Sequence, residues 1–152
     1  MKSRKWLGRI LLVAAIAVPL WFSWPRSLLN ITGLRGQTVL QLQEVSFIGL
    51  SGSVTRRAET PEEVQTFLSA LNQVRFQEEL HFSGTITLMG DRIDHFYIWT
   101  EEGSYIHFEY SSGGTMAYSN ADFSRVFHIS GDPAQLTPLF DLVDTWQQTE
   151  NS

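Results

Sequence analysis

The chain contains no cysteine in its 152 residues. Disulfides therefore cannot staple the fold, and the CxxC type of metal site is excluded. Lysine is almost as scarce, since none follows Lys5. Five of the eleven Lys and Arg lie in the first 26 residues (Lys2, Arg4, Lys5, Arg9 and Arg26), so six remain against all sixteen acidic residues and residues 27–152 carry a net charge of −10. A body that acidic repels phosphate backbones, which excludes nucleic acid as a partner. Internal repeats and low-complexity tracts are missing too.

Catalytic signatures are also lacking. The segment Gly49-Leu50-Ser51 matches the start of a G-x-S-x-G elbow, but Ser53 takes the place of its last glycine and the strand-then-helix setting is absent. "GLRG" has no lysine to form a phosphate-cradling loop. Carboxylates occur as the sequence neighbours Glu62-Glu63, Glu78-Glu79 and Glu101-Glu102, not as a pair facing across a cleft. Four histidines are present, His81, His95, His107 and His128, without the spacing of a zinc motif. The sequence therefore predicts no enzyme, no metal and no cofactor.

What is present begins with an apolar segment. "MKSRKWLGR" is basic, and Ile10 to Trp24 is a fifteen-residue run without charge. Extending it back to Trp6, with Arg9 snorkelling, gives a span that predicts a signal-anchor or transmembrane segment over residues 1–26. The positive-inside rule then places the N-terminus in the cytoplasm and the rest outside the cell membrane, with secretion after cleavage as the alternative. Residues 27–37 read as a linker and residues 38–152 as one extracytoplasmic α+β domain, large enough to fold on its own core.

Within that domain, residues 38–59 read as one or two strands. The apolar phase changes at Gln43-Glu44, which predicts a bulge there. Residues 60–74 predict a helix: Thr60 as N-cap, Pro61 at the first position, Glu63 at the capping-box site, and a stripe of Val64, Phe67, Leu68, Leu71 and Val74. Residues 80–120 carry turn signals at Gly90-Asp91, Glu102-Gly103 and Gly113-Gly114 and predict an antiparallel meander, with "SRVFHIS" as a further strand. Thr137-Pro138 starts a second helix with a stripe of Leu139, Leu142, Val143 and Trp146. The expected fold is thus a transmembrane helix followed by an antiparallel meander of four to six strands packed with two helices.

The richest stretch is "HFYIWTEEGSYIHFEY", residues 95–110. A three-residue loop with Gly103 in the left-handed region pairs Thr100 with Ser104. That register puts Phe96, Ile98, Ile106, Phe108 and Tyr110 on one face. It puts His95, Tyr97, Trp99, Tyr105, His107 and Glu109 on the other. A two-residue loop would mix the sets, placing Ile98 with His107. If both helices cover the first face, the second is an open aromatic patch suited to contact; if one helix covers each face, the rings are core. The expected function is non-catalytic binding of an extracytoplasmic protein or envelope ligand by a membrane-anchored domain, through His95, Tyr97, Trp99, Tyr105, His107 and Glu109. The alternatives are a metal-dependent or hydrolytic envelope enzyme using His95, His107 and Glu109, and a structural subunit of a membrane complex.

Overall fold

The computed structural model describes residues 2–48, 52–79, 88, 90–119 and 124–149. Helix α1 (Lys2–Ser23) precedes a short strand β1 (Arg26–Ser27) and helix α2 (Leu28–Thr32). Then come β2 (Val39–Ile48), β3 (Ser53–Ala58), α3 (Pro61–Gln73), β4 (Arg75–Glu79), β5 (Arg92–Thr100), β6 (Tyr105–Ser111), β7 (Thr115–Ser119) and β8 (Ser124–Ile129). A 3-10 turn (Pro133–Leu136), α4 (Thr137–Asp144) and β9 (Gln147–Gln148) complete the chain. The nine strands form a single sheet in the order β1-β4-β8-β7-β6-β5-β2-β3-β9. Every pairing is antiparallel.

The expected four to six strands and three helices, one N-terminal and two packed on the sheet, thus become nine strands and four α-helices among the described residues. The largest omission was β4, whose single buried apolar residue, Phe76, leaves too little alternation to read in "RFQEE". The two-residue edge strands β1 and β9 carry no pattern at all. The stretch expected as a strand before Gly90 lies outside the described residues apart from Leu88, and so do residues 49–51 of "GLSGS", a segment whose composition predicts a turn.

The membrane anchor expected over residues 1–26 is also corrected. Among the described residues, no helix is long and apolar enough to cross a membrane. The physical reason lies in α1, where Arg9 bounds the uncharged run; the fourteen residues from Ile10 to Ser23 reach roughly 21 Å at about 1.5 Å each, short of a ~30 Å hydrocarbon core. The single-pass topology, with a cytoplasmic N-terminus and an extracytoplasmic domain, has no support in this helix.

The core lies between one face of the sheet and helices α3 and α4. Phe67 of α3 stacks on Phe96 of β5 with ring centroids 4.9 Å apart and meets Trp146 edge-on at 5.2 Å. Phe140 of α4 meets Tyr110 of β6 edge-on at 5.0 Å. Leu28 of α2 and Leu34, just after that helix, are buried in the same cluster. Helix α3 starts as its residues dictate: Thr60 Oγ1 accepts from the Glu63 amide at 3.2 Å, and Glu63 Oε2 accepts from the Thr60 amide at 2.9 Å. Helix α4 starts differently. Thr137 is its first helical residue and not its cap, because the 3-10 turn capped by Asp132 runs straight into it.

Strand β2 departs most clearly from expectation. Its irregularity falls between Val39 and Gln41, not at Gln43-Glu44. From Leu42 to Phe47 the alternation is unbroken, with Leu42, Glu44 and Ser46 buried on the core face. Glu44 and Ser46 face inward because an ion network receives them. Arg56 Nη1 donates to Ser46 Oγ at 2.6 Å and to Glu44 Oε2 at 3.3 Å. Arg56 Nη2 reaches Asp144 Oδ1 at 3.1 Å, Arg92 Nη1 reaches Asp144 Oδ2 at 2.8 Å, and Arg92 Nε donates to Asp94 Oδ1 at 2.7 Å. Three carboxylates thus face two guanidiniums, and Glu44 and Asp94 are fully buried. Burial, with the charge of Asp94 nearby, pushes the Glu44 carboxyl up to about 7; burial likewise raises that of Asp94.

Two outcomes follow from these contacts. Thr60→Ala removes the side-chain half of the capping box and is expected to cost about 1 kcal/mol in denaturant unfolding. For Glu44 the folded-state value lies above the unfolded one, so the folded chain holds the extra proton between pH 4.5 and about 7 and loses stability as pH rises through that window. Glu44→Gln should therefore gain on the wild type by about 1–3 kcal/mol between pH 5 and pH 8. A pH-independent difference between the two would contradict this account.

Candidate functional site

The middle of the sheet is the β5–β6 hairpin. Gly103 sits at φ 78° and its amide donates to the Thr100 carbonyl at 3.0 Å. The Thr100 amide donates to the Ser104 carbonyl at 3.1 Å, which closes the three-residue loop of Glu101, Glu102 and Gly103. The register runs from Trp99 opposite Tyr105 through Tyr97 opposite His107 and His95 opposite Glu109 to Ile93 opposite Ser111. This is the pairing expected from the sequence, and the faces sort accordingly. Phe96, Ile98, Ile106, Phe108 and Tyr110 are buried beneath the helices. On the other face His95, Tyr97, Trp99, His107 and Glu109 are half-buried and Tyr105 is 54% exposed.

The half-buried face is one continuous series of rings. Trp99 and Tyr105 lie 5.4 Å apart, Tyr105 and Tyr97 6.3 Å, and Tyr97 and His107 4.9 Å with their planes within 12°. His107 and His95 follow at 5.6 Å, and Phe47 of β2 closes the series edge-on against His95 at 5.0 Å. Phe47 was missed as a member. Its signal was the change of apolar phase along β2, which marks a strand carrying apolar residues on its outer side. The structure thus brings all six sequence-derived residues onto one surface and adds Phe47 to them.

At one end of this series the titratable groups converge. His95 Nδ1 lies 2.9 Å from Glu109 Oε2 and 3.4 Å from His107 Nε2. The hydrogen bond from His95 holds the Glu109 carboxyl below its ordinary range, with the two imidazoles adding to the effect. Burial lowers His107, and the neighbouring His95 acts in the same direction while Glu109 opposes. Burial raises the Tyr105 hydroxyl. His128 of β8 pairs with Glu79 of β4, and His81 lies outside the described residues. Asp94, which the sequence puts near this cluster, points instead into the buried network under α4.

The hairpin loop is the point at which this surface can be perturbed without touching it. A Cβ on Gly103 would meet nothing within 4 Å, so the cost of Gly103→Ala is the left-handed backbone alone. A loss of about 1–2 kcal/mol is expected. Gly103→Asn should recover part of it, since asparagine tolerates that region. An alanine variant as stable as the wild type would show that the loop does not hold the register. Compared with known proteins, this chain matches no protein-family model, no curated protein and no solved structure.

Proposed function

We propose that this chain is a non-catalytic binding domain that docks a protein partner on the open aromatic face of its sheet. The observation that carries the reading is the series of six rings on the side of the sheet away from α3 and α4. Tyrosine and tryptophan are the residues that protein interfaces concentrate, because a rigid ring with a polar tip contributes contact area at little entropic cost. The shape agrees with such use. The rings rise side by side from two paired strands, which suits a broad contact more than a small molecule. A groove of about 750 Å³ lies away from the rings, lined by Glu62, Gln65, Ser69 and Gln73 of α3 with Gln135 and Pro138.

The experiment is a capture assay with the full chain against an extract of its source cells, repeated with the Trp99→Ala/Tyr105→Ala double variant. A specific protein retained by the wild type and lost by the variant is expected. The variant should melt within about 5 °C of the wild type, because cross-strand ring pairs contribute only ~0.2–1 kcal/mol each. A partner still retained by the variant would overturn the reading. A collapse in melting temperature would overturn it as well, by showing that those rings serve as core.

A further inference from the structure

His95, His107 and Glu109 form a cluster that contact through rings does not require. We propose that these three side chains bind one divalent transition-metal ion of the zinc type, as two imidazoles and one carboxylate, on the outer face of the β5–β6 hairpin. This inference does not rest on partner docking, since it concerns the chain alone.

The geometry is the argument. One ligand atom from each residue lies within 4.8 Å of the other two. A zinc ion held at about 2.0–2.1 Å in tetrahedral geometry separates neighbouring donors by about 3.3–3.4 Å. His95 Nδ1 and His107 Nε2 are 3.4 Å apart, which is that spacing. Glu109 Oε2 is 2.9 Å from His95 Nδ1, a few tenths of an ångström inside that spacing, and its carboxylate and the His107 nitrogen lie within 4.8 Å of one another, so side-chain rotation of Glu109 completes the set. The donor set suits the same class of ion. Imidazole nitrogen is the ligand that zinc and its neighbours favour, whereas calcium and magnesium take oxygen.

The scaffold is also rigid. The three residues come from two strands locked by seven consecutive pairs, so the backbone spends little freedom in holding them. Tyr97 stacks on the His107 ring and Phe47 packs edge-on against His95, which restrains both imidazoles. His95 and Glu109 keep 22% and 24% of their side-chain surface exposed, so an ion has a route in from solvent. Three protein ligands leave a fourth position of the tetrahedron for water or a donor from elsewhere.

The test is calorimetric titration of the tag-free full chain with zinc, with the visible absorption of bound cobalt as a second readout. One site with micromolar or tighter affinity is expected, and magnesium and calcium should not compete. His107→Ala and the nearly isosteric Glu109→Gln should each weaken zinc at least about tenfold with the fold intact by circular dichroism. His128→Ala, at a residue paired with Glu79 on another pair of strands, should leave the affinity unchanged. Three results would overturn the assignment: no saturable binding by ~100 µM zinc, unaltered affinity in Glu109→Gln, or loss of binding in His128→Ala. Trp99→Ala/Tyr105→Ala should bind zinc as the wild type does, which separates failure of this site from failure of the docking face.

Discussion

The register of the β5–β6 hairpin is the constraint from which the rest of the molecule follows. Side chains along a strand alternate with a period of two, so a single dihedral choice at Gly103 decides which rings go to each side of the sheet. With that glycine left-handed, Phe96 and Phe108 face the helices and stack 5.0 Å apart, and Phe67 of α3 continues the stack on Phe96. The same choice aligns His95 with Glu109 and Tyr97 with His107 on the opposite surface. Core and candidate site are two readings of one alternation. A slip of one residue would lose both at once.

Helix placement turns this alternation into an accessible surface. Both α3 and α4 pack on the Phe96–Tyr110 side, and Trp146 closes the gap beside Phe67. A sheet covered on one face ordinarily carries polar side chains on the other. Here the other face of the central hairpin carries rings with polar tips instead. Burial is graded along it: Tyr105 is open, whereas the ring of His107 is half-covered enough to lower its proton affinity.

How much of this was legible in the sequence depended on whether hydrophobicity and burial coincided. At α3 they did, and Thr60, Glu63 and the stripe from Val64 to Leu71 stand where their chemistry puts them. The hairpin was legible for the same reason, since the two classes of side chain alternate from His95 to Trp99 and again from Tyr105 to Tyr110. Strand β4 was not, because an exposed charged strand with one buried phenylalanine looks like a helix tail followed by loop. The apolar run of α1 was read too generously, because hydropathy by itself does not fix length against a bilayer. The convergence of His95, His107 and Glu109 was visible only as cross-strand neighbours. Their donor atoms meet through side-chain rotamers, on which a sequence is silent.

Strand β2 shows most sharply what hydropathy leaves out. Read by apolar content, its second half should bury Val45 and Phe47. The structure buries Glu44 and Ser46 instead and leaves Phe47 43% exposed beside His95. Burying a carboxylate costs several kcal/mol unless it is paired, and this one remains pushed up to about 7 even with Arg56 beside it. The apolar arrangement would nevertheless be worse. Turning Val45 and Phe47 inward means slipping β2 by one residue against β5. Arg56 would then lose Glu44 and Ser46, and its guanidinium would stay beneath α4 with Asp144 alone. A buried guanidinium that keeps one of three partners leaves donors unmet, at a cost of about 1–3 kcal/mol. The charged residues of the core thus hold the register that keeps Phe47 outside, and Phe47 in turn packs against the His95 ring. A polar defect on the inner face of β2 is in this way coupled to the order of the side chains on its outer face.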